Sequence, residues 1–142
     1  MDIEIEKKIA QAFIYKNKRE RFLFEMAKKD RINAICRLEK IIDKSFSILQ
    51  SNKFPVPTEL IEIMSAHGVD KMCYVLSEYK EFDGVYVELR LAAEKLHQNG
   101  FPSLIVGLPS GFSHLKFESY ASNQPNCFLK PLIRFDNISW GK

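Results

Sequence analysis

From Met72 to Glu118 the apolar residues stop recurring at helical spacing and fall into short β-rich runs between turn residues, which restricts the chain to folds containing a small sheet. Met72-Cys73-Tyr74-Val75-Leu76 is apolar without strict alternation, the pattern of a strand covered on both faces. Asp83-Gly84 supplies hairpin chemistry before Val85-Tyr86-Val87, although Ser77 to Glu81 lengthens the loop. Glu88 to Asn99 sets Leu89, Ala92, Ala93 and Leu96 on one helical face and reaches Gly100, which suits a helix-closing left-handed residue. Leu104 to Leu108 reads as a second central strand, and Pro109-Ser110-Gly111 as the turn that brings Phe112 to Glu118 back against it. Leu115 and Phe117 alternate with His114, Lys116 and Glu118, so one face of this third strand is expected to meet solvent or a partner. Leu132-Ile133-Arg134-Phe135 is strand-like and is expected to add an edge strand.

The region before Met72 is helical in pattern. Ile5, Ile9, Ala12 and Phe13 form one stripe, and Phe22, Leu23, Met26 and Ala27 repeat at the same period between basic residues. Asp30 suits the N-cap of a third helix through Ile35, Leu38, Ile42 and Leu49, a pattern compatible with one bent rod or two from Lys16 onward. Pro55 and Pro57 force an extended connector, after which Thr58 suits the cap of a short helix over Leu60 to Ala66 that ends at His67-Gly68. The sum is an α+β fold: a helical N-terminal half packed on a small mixed or antiparallel sheet with one crossover helix. A single domain over 1–142 is expected, with 1–53 as a helical basic segment and 72–135 as the α/β core.

Composition excludes several classes. At 46% hydrophobic and 27% charged the chain is neither disordered nor fibrous, and no window approaches the ~18 apolar residues of a membrane span. The N-terminus opens acidic where a secretory signal is basic, so a cytoplasmic location is expected. Cys36, Cys73 and Cys127 are odd in number and widely spaced, which argues against a disulfide framework and a zinc site; reduced thiols, no metal and no cofactor are expected. Net charge is +3, but residues 1–53 hold 13 Lys/Arg against 8 Asp/Glu, and the remainder holds 8 against 10.

Three groups of residues could carry function. Ser77, Glu78 and Asp83 follow a central strand, where open α/β sheets bind ligands, and paired carboxylates could act as acid and base or hold a hard cation, although a solvated acidic loop is the favoured explanation. His67 and His97 lie near helix-ending glycines, a structural setting, whereas His114 lies on the expected open face with Lys116 and Glu118. A Cys73–His114 or Ser-His-acid pair would need cross-strand geometry. Gly107 to Gly111 is not a phosphate loop, because no Gly-Lys-Ser/Thr follows. Finally, Lys16, Lys18, Arg19, Arg21, Lys28, Lys29 and Arg31 interleave with Tyr15, Phe22 and Phe24, the composition of a nucleic-acid surface, but Glu20, Glu25 and Asp30 punctuate them as on an ordinary solvated helix.

Phe13 to Phe22, Cys73-Tyr74-Val75-Leu76-Ser77-Glu78, Asp83-Gly84 and Pro109 to Glu118 resemble a group of small uncharacterised bacterial proteins, a resemblance that implies a bacterial cytosolic protein and no particular activity. The leading functional expectation is a non-catalytic protein-binding module, of the immunity or antitoxin type that neutralises a bacterial toxin domain, with Glu78, Asp83, His114, Lys116 and Glu118 facing the partner. The first alternative is nucleic-acid binding through Lys18, Arg19, Arg21, Lys28 and Lys29. The second is a small hydrolase with an acidic site after the first strand.

Overall fold

The computed structural model describes residues 1–29, 31–51, 55–97, 102–116 and 126–135, with backbone alone at 44 and 49–51. Asp30, Gly100, Phe117 and Glu118 lie outside the described residues.

Four helices come first: α1 (Ile3–Phe13), α2 (Arg19–Met26), α3 (Arg31–Cys36) and α4 (Leu38–Ile41). The Asp2 carboxylate opens α1 by accepting from the Glu4 and Ile5 N–H groups, and the apolar stripe Ile5, Ile9, Ala12, Phe13 is buried. The expected third helix does not reach Leu49. Ile42 turns extended and forms a bridge with Ile14, and the Asp43 carboxylate accepts from the Ser45 N–H at 3.0 Å. A 3-10 turn at Lys44–Phe46 then leads into a strand, β1 (Ser47–Ser51). Helix α5 (Pro57–Ala66) starts one residue before the expected Thr58 cap, because Pro57 occupies the first turn behind an extended Val56.

The remaining elements are β2 (Val69–Ser77), β3 (Val85–Glu88), α6 (Leu89–His97), β4 (Ser103–Pro109), β5 (Ser113–Lys116) and β6 (Asn126–Leu129). They complete a six-stranded sheet in the order β1-β6-β5-β4-β2-β3, every pair antiparallel. The β2–β3 hairpin turns at Asp83-Gly84, with Gly84 at φ +69°, and α6 crosses over β2 to join β3 to β4. The tail strand is Asn126–Leu129, paired on both sides by β1 and β5; Leu132 to Phe135 is irregular, not the expected edge strand. The α+β fold read from the sequence is the fold observed.

Helices cover both faces of the sheet. Tyr74, Leu76, Leu104, Val106, Leu115 and Leu129 pack under α1–α4, and Cys73, Val75, Ile105 and Phe128 pack under α5 and α6. One cross-strand row, Val85, Val75, Ile105, His114, Phe128, Ile48, runs the width of the α5–α6 side. The open face expected on β5 is therefore absent: His114 is 1% and Lys116 4% exposed. The physical reason is that α5 and α6 cover this side of the sheet: Phe128 of the flanking β6 packs against His114 with the rings tilted by 53° and centroids 4.7 Å apart, and the Lys116 ammonium donates to the Leu96 carbonyl of α6 at 2.5 Å.

Burial, then the nearby Lys116 charge, pushes His114 down to about 3, and burial pushes Lys116 down to about 8. Both groups are held neutral more readily folded than unfolded. As pH falls below the unfolded histidine value of ~6.5, the unfolded chain gains a proton that native His114 refuses, so stability is lost at up to ~1.4 kcal/mol per pH unit. In the alkaline range the unfolded lysine keeps its proton to ~10.4 while native Lys116 releases it near 8, so stability rises between those values. Unfolding free energies measured from pH 4 to 10 should show both slopes, the acid one flattened in His114→Leu and the alkaline one in Lys116→Met.

Candidate partner-binding groove

Glu6 sits on the buried side of α1, and a carboxylate there requires a partner. The partner is Arg31 at the start of α3. Its Nη1 and Nη2 donate to the two Glu6 oxygens at 2.9 and 2.5 Å, and its Nε donates to Asp83 Oδ2 at 2.5 Å. Nη1 also donates to the Met26 carbonyl at 3.1 Å, closing the end of α2. Burial opposes the guanidinium charge, but the Glu6 and Asp83 hydrogen bonds outweigh it and raise the Arg31 pKa. The network continues through Tyr74, whose hydroxyl donates to Glu6 at 2.5 Å and accepts from the Asp2 N–H at 3.1 Å. Tyr86 donates to the Asp2 carboxylate at 2.5 Å, and Asp83 accepts from the Ser77 N–H at 3.2 Å. Gly84 is needed here for space as well as conformation: a Cβ would lie 2.9 Å from Arg31 Nη2.

Directly over this network, α1 and α2 enclose a groove of about 360 Å³. Its walls are Met1, Ile3, Leu23, Met26 and Ala27, and Glu6 and Arg31, already paired with each other, contribute to its lining. Met1 is 77% and Ile3 64% exposed, so two large apolar groups of the groove lining face outward; Phe24 on α2, 57% exposed, is not part of that lining. Lys7 lines it, and Lys28 and Lys29 follow Ala27; Lys28 lies 3.9 Å above the Phe24 ring.

The residues expected from sequence separate into different places. Asp83 belongs to the Arg31 network, and Ser77 Oγ accepts from the Tyr79 N–H at 3.0 Å. Glu78 is half-buried at the end of the sheet, lining a second, smaller cavity with Lys116. His114 and Lys116, buried in the sheet, cannot touch a partner, and Glu118 lies outside the described residues. The acidic site after the first strand does not converge: Asp83 turns to Arg31, while His114 sits beside Phe128, two strands from β2. Cys73 donates to the Val87 carbonyl at 3.5 Å, and burial pushes its thiol well up. His67 does what its position implies, with Nδ1 2.9 Å from the Ile63 carbonyl, and it also stacks on Phe112.

Of the expected basic surface, Arg31 is buried between Glu6 and Asp83 and cannot reach a nucleic acid, and the basic residues of α2 are partly committed to structure. Arg19, half-buried, donates to the Ile14 and Gln11 carbonyls at 3.0 and 3.2 Å, closing the C-terminal end of α1. Glu25 pairs with Arg37 and Arg21, which hold its carboxyl below the usual range. Lys18, Lys28 and Lys29 are exposed.

Comparison with protein-family models, with curated proteins and with solved structures finds no match to this chain. No described helix is long and apolar enough to cross a membrane.

Sequence reading missed the groove because its anchor pairs residues 25 and 52 positions apart. One signal was present: Glu6 directly follows Ile5 on the stripe that Ile9 and Phe13 continue, an inward carboxylate that called for a buried cation. Removing that cation in Arg31→Met should cost about 3–5 kcal/mol, because Glu6 and Asp83 remain buried and unpaired. Chemical denaturation of the variant checks this; a loss under about 1 kcal/mol would contradict it.

Proposed function

We propose that this chain is a non-catalytic protein-binding module whose α1–α2 groove covers an apolar side chain on an acidic surface of another protein. The observation that carries the reading is the coincidence of the groove with exposed Met1 and Ile3, both in its lining. Such a patch on a soluble surface marks an interaction site, and its centre supplies the apolar anchor pocket around which protein interfaces concentrate their affinity. Lys7 lines the groove and exposed Lys28 and Lys29 follow Ala27 in sequence, while Asp2 and Glu4 lie on the far side of Met1 and Ile3; an acidic partner surface complements the lysine side. In an immunity or antitoxin role, the toxin domain suited to this groove carries an acidic rim around a protruding apolar residue. A basic nuclease face does not suit it, since Asp83 is spent on Arg31 and gives no acidic counter-surface.

Nucleic acid is the competing occupant, and exposed Lys18 and Arg21 with Phe24 favour it on composition. The groove itself favours protein, because phosphate recognition has no use for an apolar pocket of about 360 Å³.

The two occupants separate in one experiment. Wild type, Ile3→Asp and a Lys18→Ala/Arg21→Ala double variant, matched in thermal stability, are used to capture partners from native cell extract with and without nuclease. The reading expects a protein retained by wild type and the double variant, lost at least tenfold from Ile3→Asp, and rebinding as two purified components. Retention by Ile3→Asp equal to wild type, or a nuclease-sensitive capture lost in the double variant, would contradict it.

A further inference from the structure

A second cavity, of about 110 Å³, lies at the end of the sheet where β4 begins and β5 ends, beneath α3 and α4. It shares no residue with the α1–α2 groove. Ser103, at 1% exposure, and Glu39 both line it, and both carry a buried oxygen, Ser103 Oγ and Glu39 Oε2, without a hydrogen-bond partner. Buried polar atoms are almost always paired in folded proteins, so two orphaned oxygens around one small cavity call for a ligand that donates hydrogen bonds. A second carboxylate, Glu78, is in the same lining, half-buried. The Lys116 ammonium also lines the cavity and donates to the Leu96 carbonyl at 2.5 Å, and neither orphaned oxygen accepts from it.

We propose that this cavity binds a compact organic cation, an alkylammonium or alkylguanidinium group. An ionised carboxylate accepts only, and a serine hydroxyl can accept, so the complementary group is a cation with several N–H donors. Liquid water occupies about 30 Å³ per molecule, so the cavity has room for one small cationic head group and nothing the size of a nucleotide. Ile35, Leu38 and Leu115 provide apolar wall for an attached methyl or methylene. No group of three His, Cys, Asp or Glu side chains close enough to hold a metal ion occurs among the described residues, which favours the organic cation over a divalent one.

The test is an amide chemical-shift titration of the full chain at constant ionic strength with methylammonium, methylguanidinium, tetramethylammonium and magnesium ion. The proposal expects saturable shifts at Ser103, Leu115 and Lys116 with at least one of the two N–H donors and none with tetramethylammonium, which has no N–H to give. Affinity should fall at least tenfold in Glu39→Gln and also fall in Ser103→Ala, and Ser103→Ala decides alone should Glu39→Gln lose native dispersion. Linear drift without saturation, an equal response to tetramethylammonium, saturation by magnesium only, or unchanged affinity in the folded variants would overturn it.

Discussion

The buried guanidinium of Arg31 is the interaction on which the arrangement of this molecule depends. It joins three parts of the chain: Glu6 on α1, the Met26 carbonyl ending α2, and Asp83 in the β2–β3 hairpin. Two carboxylates against one cation leave the cluster short of positive charge, and the hydroxyl of Tyr74 and the N–H of Ser77 supply the remaining donors. Each acid is thereby solvated by protein where water is excluded, which is the condition for a buried charge to be tolerated. A lysine, with a single compact ammonium, could not serve Glu6 and Asp83 along two edges at once.

That clamp determines where the proposed groove lies. With α1–α4 on one face of the sheet and α5–α6 on the other, both faces of the sheet carry packed helices among the described residues, so the proposed recognition falls to helix surfaces and strand ends. The clamp fixes α1 against the α2–α3 connection at a separation set by Arg31, and the space above it becomes the α1–α2 groove. The sheet-end cavity arises differently, from the row Ser77, Ser103, Lys116, where small and polar residues end a sheet that is otherwise filled by branched and aromatic side chains. A rigid anchor beneath a hydrophobic groove is an economical way to present exposed apolar groups without letting them collapse into the core.

Much of the fold was legible because it is local. The β2–β3 hairpin, α6, β4 and the turn into β5 each announce themselves within a dozen residues by period and turn chemistry, and α1 by its stripe. What was not legible is non-local. Ser47–Ser51 carries Leu49 at helical spacing from Ile42, and only its pairing with Asn126–Leu129 makes it a strand. The same pairing places β6 beside β5, and α5 and α6 cover that side of the sheet, so His114 and Lys116, polar residues alternating with Leu115 as on an exposed strand, end up interior. Asp83 looked like a loop acid for the same reason: its partner lies 52 residues away. The basic helices were read correctly as basic, but Arg19 and Arg37 prove to be used within the fold, closing α1 and pairing Glu25.

The claim that Glu6, Arg31 and Asp83 act as one unit, and not as two independent ion pairs, is tested most directly by a double-mutant cycle. Unfolding free energies are measured for Glu6→Gln, Asp83→Asn and the double variant. Coupling of about 1–3 kcal/mol between two acids that meet only through the shared guanidinium is the predicted result. Additivity within about 0.5 kcal/mol would contradict it.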